Sequence, residues 1–227
     1  AAPWTYQWKT TKASFEKEQC TPEKTYGVFD SKSNLYRKYR EFFKKEYSQS
    51  AAFDISNFSL SDLGAVQKPC IFLAVNFSQA EKILSLILTQ VDSPKVFGLG
   101  DWNYYSGEIK KLILGIKKPG WKVYGPTGWS PSVTKRSKSF TDKIKAKLNY
   151  APSPVAAYTY DAMTLALHSS CSKNTSFDTL SRSLPLLRKY KGITETNNFD
   201  SDMLMISFWK RNLRYERIWP FKTENPW

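Results

Sequence analysis

Ile71-Phe-Leu-Ala-Val-Asn-Phe-Ser-Gln-Ala-Glu-Lys-Ile-Leu-Ser-Leu-Ile-Leu88 sets a strand and a helix back to back. Residues 71–75 are an unbroken apolar run between Pro69 and Asn76. A strand with no polar face is buried on both sides, as in a parallel sheet covered by helices. Ser78 and Glu81 stand at capping-box spacing and predict a helix over residues 80–89. A buried strand running straight into a helix is half of a βαβ unit, the connection that parallel strands require.

The same alternation extends in both directions. Residues 25–29 (Thr-Tyr-Gly-Val-Phe) predict a short strand rich in β-branched and aromatic residues. The turn Asp30-Ser-Lys-Ser-Asn34 follows, with Ser33 or Asn34 able to cap a helix. Leu35, Tyr36, Tyr39, Phe42, Phe43 and Tyr47 recur at three- and four-residue steps among lysines and arginines, an amphipathic helix over 35–47. Residues 51–55 predict a second strand, 95–98 another, and Gly98-Leu-Gly-Asp101 a turn. Ile109, Leu112, Ile113 and Ile116 mark a helix within 103–118, and 121–125 a further strand. Beyond an irregular stretch at 125–139, a short basic helix is expected over 140–148, then helices over 155–169 and 177–190, the latter broken near Pro185. Residues 203–209 and 213–219, flanking Lys210-Arg-Asn212, read as a terminal hairpin. Trp4, Tyr6 and Trp8 alternate, which suggests a strand crossing between lobes.

Composition restricts the function. Hydrophobic residues at 41% make the chain globular rather than disordered. No apolar run is long enough to cross a bilayer, and Ala1-Ala-Pro-Trp4 has no signal-peptide pattern. Thirty-four Lys and Arg against 20 Asp and Glu leave a net charge of +14, which favours anionic partners in general. No recognised nucleic-acid motif accompanies that charge. Cys20, Cys70 and Cys171 lack metal-ligand spacing, and one disulfide with a spare thiol or three buried thiols fit equally well. Asn57, Asn76 and Asn174 match the glycosylation pattern only weakly. His168, the one histidine, has no nucleophile or orienting acid near it in sequence. GxSxG, HExxH, Walker A and complete GxGxxG motifs are all missing. The expectation is a protein that is not an enzyme, with no catalytic residue, metal or cofactor.

Three stretches carry a resemblance. The first is Ala151-Pro-Ser-Pro-Val-Ala-Ala-Tyr-Thr-Tyr-Asp-Ala-Met-Thr-Leu-Ala-Leu167, a Pro-containing approach to a "YDA" helix. The second is Lys191-Gly-Ile-Thr-Glu-Thr-Asn-Asn-Phe-Asp200, a turn ahead of the hairpin that holds Trp209. The third is the strand and turn at Tyr26-Gly-Val-Phe-Asp30. Together they resemble the second half of a type I periplasmic binding protein of the branched-chain amino-acid kind, a component of ABC importers. The resemblance implies an α/β fold, a parallel-sheet sandwich with helices on both faces, matching the second lobe plus the C-terminal segments. By that reading residues 1–24 are an inter-lobe segment, 25–150 the lobe, and 151–227 the returning helices and hairpin. One departure is Glu195, which stands where the family's turn has its second glycine. Another is that the family has a further half-lobe before the point matching Ala1; a fragment and a shortened relative remain alternatives.

The resemblance also implies where a ligand sits: at the strand ends facing the cleft, in keeping with the rule for open α/β sheets. Three places match: Asn34 and Tyr36 after the first strand, Asn76 and Phe77 after the third, and Asp101 and Trp102 after the fourth. In the family an acid following the third strand pairs with the ligand's ammonium while an aromatic packs on its side chain, roles open to Asp101 and Trp102. The alternative is local: Asp101 caps a helix starting near Asn103, and Trp102 packs beneath a loop. Asp161 is expected on the polar side of a helix whose Tyr158, Ala162, Leu165 and Ala166 face the core. The function implied is extracytoplasmic, most simply periplasmic, binding of a small polar ligand of the amino-acid class, with a membrane permease as possible partner. A second reading is a degenerate relative without a transport role, docking to a protein or to an anionic cell-wall polymer.

Overall fold

The computed structural model describes residues 4–64, 66–127, 129–131, 134–170, 192–194, 204–209 and 212–217. In chain order they form α1 (Trp4–Lys17), β1 (Thr25–Phe29), α2 (Asn34–Glu46), β2 (Ala51–Asp54), β3 (Cys70–Ala74), α3 (Phe77–Gln90) and β4 (Lys95–Phe97). There follow α4 (Ser106–Leu114), β5 (Lys122–Thr127), α5 (Lys135–Leu148), α6 (Pro154–Ser170), β6 (Leu204–Trp209) and β7 (Asn212–Arg217). Cys171, Asn174, the helix expected over 177–190 and the Phe199-Asp200 turn lie outside the described residues. The strands make one sheet in the order β2-β1-β3-β4-β5-β6-β7, and β1 to β5 pair in parallel. This is the α/β arrangement expected from the alternation of strands and helices. Two compact units result: residues 3–127 with 205–218, and residues 128–204 with the two chain termini.

The first unit has an aromatic core. Phe72, central in β3, has the rings of Trp8, Phe15, Phe29, Tyr39 and Phe43 around it at 5.5 to 6.2 Å. Most of these contacts are edge-to-face, the geometry favoured by the ring quadrupole. Two of the rings, Trp8 and Phe15, come from α1, so residues 4–8 are not a strand. The apparent alternation extends over only five residues, whereas buried Trp8, Thr11 and Phe15 recur at three and four. A disulfide ties Cys20, just past α1, to Cys70 at the start of β3. Nearby, Glu18 pairs with Lys95 (3.3 Å) and Lys122 (3.0 Å), the first residues of β4 and β5, and accepts from the Tyr124 hydroxyl. Burial pushes the Glu18 carboxyl up, but bonds from Tyr124 and Lys122 outweigh it and hold the group below its ordinary value. The amino ends of the sheet are thus held by a covalent bond and an ion cluster.

Several boundaries differ from expectation. α3 is capped by Asn76, whose Oδ1 accepts from Gln79 N at 2.9 Å and from the Ser78 hydroxyl at 2.7 Å, so no Ser78–Glu81 box forms. α5 opens five residues earlier than expected because the Thr134 hydroxyl accepts from Ser137 N at 3.0 Å. β5 continues through Gly125 and Pro126, where an irregular stretch was anticipated.

In the second unit α5 and α6 share a small core of Trp129, Phe140, Ala157 and Ile193. Asp161, expected on the polar side, faces inward at 1% exposure, and Ala162, expected in the core, is exposed; Tyr158 packs against the core as expected, and Leu165 and Ala166 are half-buried. Its carboxylate accepts from Ile193 N (2.9 Å), Thr194 N (2.8 Å) and the Thr194 hydroxyl (2.6 Å). From α5, the Ser137 hydroxyl donates to Ile193 O at 2.8 Å. Burial of a carboxylate is tolerable here because its oxygens receive three donors.

Candidate functional site

Five parallel strands bring all their carboxyl ends to one edge. The order 2-1-3-4-5 reverses between β1 and β3, which makes the space beyond those two ends a topological switch point, where open α/β sheets bind ligands. Around that edge stand Asp30 after β1, Asn76 after β3 and Asp101 after β4. The site residues named from sequence meet there unequally.

Phe77, Trp102 and Tyr105 form one aromatic group. Phe77 stacks on Tyr105 with centroids 4.5 Å apart and 10° between planes, and meets Trp102 edge-on at 6.0 Å. Trp102 is only 2% exposed, and its indole covers Gly98 so closely that a Cβ there would fall 2.1 Å from the ring. Gly98 is therefore required by a tryptophan above it rather than by a phosphate. Trp102 lies beneath this edge, and Tyr105, 42% exposed, covers Phe77 from the solvent side.

Asp101 occupies the first turn of the 3-10 segment Gly100–Tyr105 that leads into α4. Burial pushes its carboxyl up to about 6, and its own N–H and that of Trp102 offset only part of this. Oδ1 is buried and has no hydrogen-bond partner among the described residues. A carboxylate kept from water with one oxygen unsatisfied costs free energy in the folded chain. Tyr36 and Tyr39 lie close enough to feel its charge. Burial, then Asp101, Asp30 and Tyr105, push the Tyr36 hydroxyl up to about 12, and burial followed by Asp101 raises that of Tyr39 further.

Two residues that sequence reading did not single out position this group. Gln7 of α1 accepts with Oε1 from the Tyr39 hydroxyl at 3.0 Å and from Gly100 N at 3.1 Å. It thereby joins α1, α2 and the turn bearing Asp101. Tyr39 was legible as part of the apolar face of α2, but Gln7 carries no local signal, since its partner Gly100 is 93 residues away. The remaining candidates stand apart: Asn76 is engaged in capping α3, and Asn34 is exposed at the start of α2. Among the described residues no group of three His, Cys, Asp or Glu side chains could hold a metal ion. Chemically, the edge offers one largely buried acid with an unpartnered oxygen close to an aromatic group, an environment that an added cation such as an ammonium group would neutralise.

No protein-family model matches the chain, and no curated protein matches it by sequence. Its structure is similar to that of the branched-chain amino-acid transporter substrate-binding protein LivJ from Streptococcus pneumoniae, solved with isoleucine. The TM-score is 0.68 at 16% identity, over 92% of this chain and 64% of that one. An ABC transporter substrate-binding protein from Desulfitobacterium hafniense follows, with TM-score 0.66, 13% identity, and 94% and 66% of the two chains covered. The leucine-binding protein LivK from Thermotoga maritima gives 0.65 and 13%, over 93% and 64%. The chain thus spans about two-thirds of the length of these structures. The likeness is one of fold: the parallel sheet and its helices match a periplasmic-binding-protein lobe, and the structures matched are binding proteins. No described helix is long and apolar enough to cross a membrane.

Proposed function

We propose that this chain is an extracytoplasmic solute-binding module whose ligand is a small molecule bearing an ammonium group, an amino acid in the simplest case. The observation that carries the reading is Asp101: a largely buried carboxylate with an unpartnered oxygen, at the carboxyl edge of the sheet and near Tyr36. In the free protein that oxygen is a liability. A ligand ammonium would supply both the missing donor and the opposite charge, while Tyr105, backed by the buried Phe77, offers an aromatic surface for the ligand's side chain. Gln7 holds the turn in place beforehand, which lowers the ordering cost of binding. The fold of the amino-acid-binding relatives supports the same class of ligand, and a permease is the partner such a module would serve. The Cys20–Cys70 disulfide supports an oxidising compartment.

The test is thermal unfolding of the chain with a panel of free amino acids. Ligand at a thousand times its dissociation constant adds about 4 kcal/mol, which for a chain of this size raises Tm by roughly 8 to 16 °C. A shift with one chemical class, lost in Asp101→Asn, is the expected result. No shift with any member would remove transport and favour the docking reading, to which the net charge of +14 also lends itself.

A further inference from the structure

The second unit contains a groove that the amino-acid reading does not use. It has a volume of about 610 Å³ and lies between α5, α6 and the irregular segment 192–194. Its apolar surface comes from Phe140 and Ile144 on α5, Tyr160 on α6, and Ile193. Arg136, Lys143 and Lys147 also line it. On a helix these three positions fall within about 40° of one another, so they form a single row along one flank of α5. No carboxylate pairs with Lys143 or Lys147 among the described residues. Tyr160, 47% exposed, stands on α6, its ring 5.0 Å from that of Phe140.

The groove is built rather than incidental. Gly192–Thr194 is held from two sides, by the Asp161 carboxylate of α6 and the Ser137 hydroxyl of α5. Both anchoring side chains are buried, Asp161 at 1% and Ser137 at 0% exposure. The floor is therefore set before any ligand arrives, which reduces the cost of binding. A largely apolar concavity of this size with a few charges of one sign is the form that small-molecule sites take.

We propose that this groove binds a small amphipathic anion, an acyl or aryl carboxylate. Its apolar body lies on Phe140, Ile144, Tyr160 and Ile193, and its carboxylate on the row formed by Arg136, Lys143 and Lys147. The ligand is a free molecule, and the site is independent of the one at Asp101.

Isothermal titration of the full chain with decanoate, below its micelle concentration, tests this, with decanol as the neutral control. Saturable binding of one decanoate per chain is expected. The double variant Lys143→Gln/Lys147→Gln should weaken it roughly tenfold, as two part-screened charge pairs predict. Both lysines are exposed, so the variant keeps its fold, checked by an unchanged Tm. Decanol binding should not respond to the substitution, and neither leucine nor Asp101→Asn should affect decanoate. Absence of saturable binding, or equal affinity in the double variant, overturns the site. Binding to phosphatidylglycerol vesicles with none to monomeric decanoate overturns it too, in favour of a cationic membrane-facing surface.

Discussion

Replacing Asp101 by Asn should make the free protein more stable at neutral pH while abolishing the ligand-dependent gain. The reason lies in where the carboxylate is held. Burial raises its pKa from 3.8 to about 6, so the folded chain resists ionisation that the unfolded chain permits. That difference corresponds to about 3 kcal/mol, cut to about 2 kcal/mol by the solvent still reaching the group. The sign follows from the raised value: the penalty is fully present above a pH of about 6 and is lost as pH falls from there toward 3.8. Asn is neutral and nearly isosteric, and it keeps an oxygen for the backbone N–H donors. Its amide nitrogen takes a position where the wild-type oxygen already lacks a partner, so no further hydrogen bond is lost. Calorimetry near neutral pH should show a Tm higher by roughly 4 to 8 °C in the variant. At a pH of about 4 most of that gap should close, since the wild-type carboxyl is by then protonated in the folded chain. A variant no more stable than the wild type at neutral pH, or a gap that ignores pH, would refute the claim that Asp101 is held at a cost.

Further outcomes follow from the packing. Trp102→Ala removes a buried indole from above Gly98 and should cost about 3 to 5 kcal/mol, read in denaturant unfolding, so loss of binding in that variant is no measure of ligand contact. Gly98→Ala should likewise destabilise, because its Cβ would meet the same ring; a melting temperature equal to that of the wild type would show that Trp102 can move aside. Reducing Cys20–Cys70 reopens a 50-residue separation and should cost about 4 kcal/mol by chain entropy, measured as Tm with and without reductant. Asp161→Ala strips three donors of their acceptor, and hydrogen exchange should show the amides of Ile193 and Thr194 losing protection while those of β3 keep it.

Beyond α1, the strands and longer helices of the first unit were legible because each declares itself locally. The apolar run at residues 71–75 needs cover on both faces, and the three- and four-residue steps of α2 present one apolar side. Asp101, Phe77 and Tyr36 could be placed at the carboxyl edge of the sheet because parallel strands all end on the same side, so a residue just past a strand lands there. Helix starts were less legible. α3 is capped by Asn76 rather than by a Ser78–Glu81 box, and α5 by Thr134 ahead of its expected start, because which residue caps depends on hydrogen bonds that sequence does not rank. Trp4, Tyr6 and Trp8 misled because five residues cannot separate a period of two from one of 3.6.

Sequence alone determined the alternation of elements, the parallel sheet and the residues that close its carboxyl edge, since periodicity and turn chemistry act over a few neighbours. Tertiary structure decided the rest. That Trp102 faces inward, that Gln7 holds the turn of Asp101 from 93 residues away, and that Asp161 is buried against Ile193 and Thr194 depend on contacts between segments distant in the chain. The raised pKa of Asp101 belongs with them, because it arises from the low-dielectric surroundings that packing creates and not from the aspartate itself.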